Sequence, residues 1–183
     1  METDSIEPVS MDMYIRAGML PRIPMFEWDG PVPDSLPDTP ENAPFHSGDS
    51  PEQMDEIDRK VIGCQRSMEH QFWMKKRGLE LEILSHNCTP TGYVYFSKKG
   101  KIGPAAATAE LLMQPLVLRA VRRSRELGAC HVHLKIPGHS LVLQSVAASM
   151  CLRVQAPAAS LLAASPLWPL GQCLLSGSDS LLV

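Results

Sequence analysis

The stretch GYVYFSKKGKIGPAAA, Gly92 to Ala107, decides the fold of this chain. Its first half alternates Tyr93, Val94, Tyr95 and Phe96 in the manner of a β-strand, with Tyr93 and Tyr95 on one face and Val94 and Phe96 on the other. Lys98 to Lys101 is a turn in which Gly100 supplies a positive φ, and Ile102 to Ala107 is a short third strand of small residues. Just upstream, LELEILS from Leu79 to Ser85 alternates apolar and acidic residues as a half-buried strand does, and Asn87 to Pro90 turn the chain into the hairpin. The result is an antiparallel meander.

Outward from the meander, helices flank it on both sides. Before it, SPEQMDEIDRKVIG begins with Ser50 as N-cap and Pro51 at the first helical position, and sets Met54, Ile57, Val61 and Ile62 at helical spacing. A second helix is predicted over Met68 to Lys76, ended by Gly78, with Phe72 and Trp73 as core or lid residues. After the meander, Thr108 to Gln114 connect to a helix with Pro115 first and Gly128 as cap. Leu116, Val117, Ala120, Val121 and Leu127 make its apolar face, and Arg119, Arg122, Arg123 and Arg125 its wet one. HVHLKIPG is a strand with Val132, Leu134 and Ile136 on one face and His131 and His133 on the other. A helix in His139 to Met150 and a strand in LRVQA follow, and SLLV at the end is placed as a last strand.

With 183 residues and 44% hydrophobic composition the chain buries one sizeable core, so a single domain with an extension is expected. The net charge of −3 conceals a division: residues 1–58 hold 14 acidic and 2 basic residues, whereas 59–183 hold 6 acidic and 15 basic. Two readings stay open, an acidic solvated linker beside a mildly basic domain, or a basic cleft for a polyanionic ligand. No global field favours nucleic acid or an anionic membrane. Five scattered cysteines without a C-x-x-C pair disfavour a disulfide framework or a zinc site. The apolar stretch Ala156 to Leu170 is interrupted by Pro157, Pro166 and Pro169, and no signal segment precedes the domain, which leads to the expectation of a cytoplasmic, soluble protein without a membrane partner.

The order helix, helix, three strands, helix, strand, helix, strand, carried by the quoted hairpin and by LRAVRRSRELGACHVHLKIPGHSLVLQSVAASMCLRV, resembles the GNAT superfamily of N-acetyltransferases over residues 51–155. The resemblance implies an α/β (α+β) fold with a mixed, mostly antiparallel central sheet flanked by helices. It implies an acyl-CoA-dependent N-acetyltransferase that passes an acetyl group from acetyl-CoA, as co-substrate, to a primary amine on a small molecule or peptide. MYIRAGMLPRIPMF is similar to the family's closing helix and strand, so residues 1–28 read as the remnant of a preceding GNAT-like domain or as a docking arm. Residues 29–50 read as an acidic, Pro-rich linker and 51–183 as the acetyltransferase domain, with a homo-oligomer or a second GNAT domain as possible protein partners.

In the family, the pyrophosphate rests on backbone N–H groups of a glycine-rich loop opening the long helix, where unpaired donors and the helix dipole favour an anion. The corresponding text here, ATAELLMQPLVLRA from Ala107 to Ala120, contains no glycine, and Pro115 removes one donor. The acetyl-CoA strand, splayed from its neighbour to pair with the pantetheine arm, matches Ala105, Ala106 and Ala107; Gln114, Leu116 and Ser140 match further cofactor positions. Pro104 favours a local break in pairing. Glu82 and His133 are the candidate bases. His131 and His133 also stand at i and i+2 as metal ligands do, but no third ligand appears at a suitable spacing, so no metal site is expected. The missing glycines favour an alternative, a catalytically inactive scaffold or dimerisation domain of the same fold.

Overall fold

The computed structural model describes residues 2–5, 7–37, 44–48, 50–163 and 174–175. The chain runs β1 (Glu2–Ser5), α1 (Pro8–Arg16), β2 (Leu20–Pro31), β3 (Phe45–Ser47), α2 (Pro51–Val61), α3 (Ser67–Gln71), β4 (Glu80–His86), β5 (Thr89–Phe96), β6 (Lys101–Ala107), α4 (Met113–Glu126), β7 (His131–Pro137), α5 (Leu141–Ser149), β8 (Arg153–Ala163) and β9 (Leu174–Leu175). The strands form one sheet in the order β1-β8-β2-β7-β6-β5-β4-β3, with β9 added beside β6. Every pairing is antiparallel except β6 with β7. The mixed, mostly antiparallel sheet flanked by helices is as expected.

Two cores follow from the period of two along the strands. On one face Tyr93, Tyr95, Leu81, Ile83 and Ala106 pack against Met54, Ile57 and Val61 of α2 and against Trp73. On the other, Val94, Phe96, Ala105, Ala107, Val132, Leu134 and Ile136 pack against Leu116, Val117, Ala120 and Val121 of α4 and Leu143, Val146 and Ala147 of α5. The predicted faces of the hairpin and of α2 and α4 are those observed, except that Leu127 at the end of α4 is exposed. Helix α4 begins at Met113, two residues before Pro115; that residue still lies in the first turn, where an N–H has no helical partner. The second predicted helix is α3 continued by a π-helical turn, Phe72–Lys76, which closes with Arg77 N–H on the Phe72 carbonyl and carries Trp73 into the core.

Strand β2 lies between β7 and β8. It pairs with β7 from Met25↔Pro137 to Pro31↔His131 and with β8 from Leu20↔Ala163 to Asp29↔Arg153, so both its edges are used. Gly18, at φ +85°, turns α1 into it. The terminal strand expected at SLLV lies outside the described residues; Leu174 and Leu175 pair with Ala106 and Ala105. Within the segment read as a linker, β2 runs on to Pro31, Arg125 Nη1 donates to the carbonyls of Pro33 and Asp34, and Phe45–Ser47 pairs with β4; residues 38–43 and 49 lie outside the described residues.

Candidate functional site

The parallel ladder between β6 and β7 is two residue pairs long, Lys101↔His133 and Ile102↔Leu134, and then ends. Pro104 follows at once and has no N–H to give. Beyond it, one edge of Ala105 and Ala106 pairs with Val94 and Tyr93 of β5, and their other edge holds Leu175 and Leu174 of β9. The gap that opens between β6 and β7 therefore receives an extended chain and satisfies it through backbone groups.

Each end of this slot is built differently. At the closed end His133 N–H donates to the Gly100 carbonyl at 2.9 Å, and Gly100 sits at φ +82° with His131 O only 1.6 Å from where a Cβ would stand. Only glycine brings the turn that close. At the open end Thr108 N–H donates to Thr91 O at 2.8 Å, a 3-10 turn spans Glu110–Leu112, and Ser140 Oγ donates to Glu110 Oε1 at 3.4 Å. Ser140, from the start of α5, and Glu110, from the loop before α4, thus meet across the mouth.

The structure brings some of the expected site residues together and disperses others. Ala105, Ala106 and Ala107 form the buried slot strand, with Ser140 at its mouth. Gln114 is exposed in the first turn of α4. The Leu116 side chain is core: its Cδ1 lies 2.7 Å from the point where a Cβ on Gly92 would be. Glu82 is buried beneath α4, with Arg119 donating from Nε to Oε2 and from Nη2 to Oε1, both at 3.1 Å, and Arg123 Nε 3.1 Å from Oε1. His133 is on the opposite face of the sheet from Val132 and Leu134, at the closed end of the slot. Glu82 and His133 are therefore on opposite faces and do not act on one point.

Solved structures with a similar fold include three that bear on the family of folds. A Pyrococcus horikoshii protein provisionally described as an acetyltransferase superposes with a TM-score of 0.66 at 17% identity, over 91% of this chain and 53% of its own. A GCN5-related N-acetyltransferase from Sphaerobacter thermophilus gives 0.59 at 12%, over 88% and 57%, and one from Kribbella flavida 0.57 at 10%, over 88% and 66%. This chain has the GNAT fold. It spans between about half and two thirds of the length of these structures. No protein-family model and no curated protein matches the sequence.

On the α2 face of this GNAT sheet lies a buried polar network that sequence reasoning missed. Asp58 Oδ1 accepts from the Tyr93 hydroxyl at 2.7 Å, and Arg66 donates Nε to Oδ2 at 2.8 Å and Nη2 to Oδ1 at 3.2 Å. The same Nη2 reaches the Tyr93 oxygen at 2.6 Å. His70 Nε2 is 3.0 Å from Asp58 Oδ2, and its Nδ1 is 2.9 Å from the Tyr95 hydroxyl. Because a carboxylate only accepts, the proton belongs on Nε2, and Tyr95 then donates to Nδ1. Asp55 accepts from Arg66 N–H at 3.0 Å and from the Ser67 hydroxyl. The network welds α2 and α3 to β5, and Tyr93 stands opposite Ala106 of the slot strand.

Burial by itself raises the Asp58 pKa, but hydrogen bonds from His70, Arg66 and Tyr93 together with the Arg66 charge outweigh it and hold the carboxyl below its usual range. Desolvation pushes the Tyr93 and Tyr95 phenols up, and the charge of Asp58 adds to this, so both remain protonated. Asp55, Asp58 and His70 offer ligand atoms within 4.8 Å of one another, which is metal-like spacing. The chemistry is not: Arg66 already spends two donors on Asp58, and its guanidinium stands where a second cation would be repelled. The signal for this network was in MDEID, where Asp58 falls four residues after Met54 and three before Val61, on the apolar face of α2.

Proposed function

We propose that the chain carries the acyl-CoA site of an N-acyltransferase that moves an acetyl group from acetyl-CoA to a primary amine. The observation supporting this is the split between β6 and β7, where Ala105 and Ala106 already hold an extended chain by backbone pairing. The two amides of a pantetheine arm offer the same alternation of donor and acceptor as a dipeptide, and the alanine side chains leave the strand slim. In the reaction the amine nitrogen attacks the thioester carbonyl, the C–S bond breaks as the C–N bond forms, the ammonium proton leaves to a base and the departing thiolate takes one up. A backbone N–H of the slot strand polarises the carbonyl, and holding both reactants in one slot removes the entropic cost of their encounter.

For the proton step, both Glu82 oxygens are engaged by arginines, and His133 is at the far end of the slot. The reading is tested by following thermal unfolding of the purified protein against acetyl-CoA. A ligand at 100 times its dissociation constant adds about 2.7 kcal/mol, a readily measured rise in Tm. No shift at millimolar acetyl-CoA sinks the reading and leaves a GNAT-fold scaffold. Where a shift is seen, acetylation of a panel of amines, followed by thiol release, identifies the acceptor class.

A further inference from the structure

We propose that His131, His133 and Asp29 form a binding site for a divalent transition-metal ion, Zn²⁺ being the best match, on the sheet face between β7 and β2. Sequence spacing supplies only the two histidines, at i and i+2 of β7 and therefore on one face, about 7 Å apart along the strand. The fold supplies the third ligand from 102 or more residues away: Asp29 of β2 is the direct antiparallel partner of His133, and Pro31 is that of His131.

The geometry separates this triad from an ordinary ion pair. Asp29 Oδ2 is 3.8 Å from His131 Nδ1, and Oδ1 is 4.0 Å from His133 Nδ1. Those separations are too long for hydrogen bonds. They exceed the edge of a tetrahedron built on metal–ligand bonds of about 2.0–2.1 Å, which is roughly 3.3 Å. Each imidazole faces a different carboxylate oxygen, and no choice of one ligand atom from each residue sets all three within 4.8 Å of one another, so closure on one ion requires rotation of side chains that solvent reaches: His131 is 65%, His133 35% and Asp29 37% exposed. Three protein ligands of the two-histidine, one-carboxylate type leave a fourth position for water.

The surroundings set the expected strength. Lys135, the next residue on this face, has its Nζ 3.4 Å from Glu27, so that charge is matched. Lys101 is the ladder partner of His133 and Arg153 that of Asp29. Both cations compete with the ion for the carboxylate, so the histidine pair carries most of the affinity. The buried Asp55, Asp58 and His70 group has a guanidinium at its centre, whereas this triad has an open approach. A bound ion would brace β2 against β7 outside the slot.

The test uses the whole chain with its thiols alkylated, since Cys64, Cys88, Cys130 and Cys151 are exposed and outside any disulfide and would bind the same metals. Calorimetric titration with Zn²⁺, and absorption titration with Co²⁺ as a coloured substitute, is expected to show one equivalent bound. His131→Ala and His133→Ala each weaken binding by at least about tenfold, Asp29→Asn weakens it less, and His139→Ala leaves it unchanged. Zn²⁺ should also raise the Tm of the unsubstituted protein and not that of His133→Ala, which separates metal binding from any effect of the substitution on folding. Saturable binding that persists unchanged in both histidine variants, or no binding at millimolar Zn²⁺, overturns the proposal.

Discussion

Asp58 illustrates how much one residue carries when it is buried. It accepts from Arg66, Tyr93 and His70 at once, and its side chain has no exposure. Asp58→Ala leaves the Arg66 guanidinium charged and unpaired in the protein interior, so a loss of about 3–5 kcal/mol is expected by denaturant titration. Asp58→Asn keeps the shape and should cost less. The acid limb of the stability curve gives an independent check. A carboxyl whose folded pKa is depressed contributes stability that is fully present above its unfolded pKa of about 3.9 and is lost as pH falls through the folded value. The urea midpoint of the unsubstituted protein should therefore fall more steeply below about pH 4 than that of Asp58→Asn; parallel curves would refute the assignment. Glu82 is a different case, because Arg119 and Arg123 are each about a third exposed. Glu82→Gln should cost only about 1–2 kcal/mol. A loss of turnover far beyond that stability change would restore Glu82 as a catalytic candidate. In the sequence the Asp58 network shows only as a carboxylate at an apolar position of α2, because the partners that bury it come from 8 to 35 positions downstream.

At the scale of elements, the hairpin was legible because its information is local: alternation, a turn glycine and a run of alanines lie within sixteen consecutive residues, Gly92 to Ala107. The split beside it was legible only as a hint from Pro104, since the length of the β6–β7 ladder is set by two strands that are far apart in the chain. Gly100 pins the closed end. Gly100→Ala drives a methyl into the His131 carbonyl at a positive φ, and a loss of about 3 kcal/mol or more is expected by thermal or urea unfolding. Wild-type stability in that variant would show that the closed end is not so tightly built. The slot itself holds Leu174 and Leu175. Proline cannot join the ladder, so if the slot takes acetyl-CoA as proposed, Leu174→Pro with Leu175→Pro should release β9 and raise the apparent affinity for acetyl-CoA several-fold. An unchanged titration would mean that β9 does not compete for the slot.

For the molecule as a whole, the N-terminal strand matters most, and its role was the least legible. Composition and charge marked residues 1–58 as different, with 14 acidic against 2 basic residues, a contrast open to an acidic solvated linker or to a basic cleft elsewhere. The fold sets β2 of this segment inside the sheet. The reason lies in the edges: β7 and β8 are joined through α5 but do not pair with each other, and each would present unpaired N–H and C=O groups across a strand-wide gap. Twelve residues from Leu20 to Pro31 fill it, burying Met25 and Ile23 and packing Trp28 against the larger core, where its Nε1 donates to Gln144 of α5 at 2.9 Å. No periodicity within residues 20–31 states which edges they join, because Pro21, Pro24 and Pro31 blur the alternation. Removing residues 1–31 should therefore leave a chain that aggregates or unfolds, although every residue of the slot between β6 and β7 is retained. A synthetic peptide of residues 19–32 added during refolding should restore a soluble, cooperatively unfolding species, and its Trp28 fluorescence should shift to shorter wavelength as the indole leaves water. A truncated chain that folds as stably without the peptide would show that β2 is an ornament on the sheet and not its closing strand.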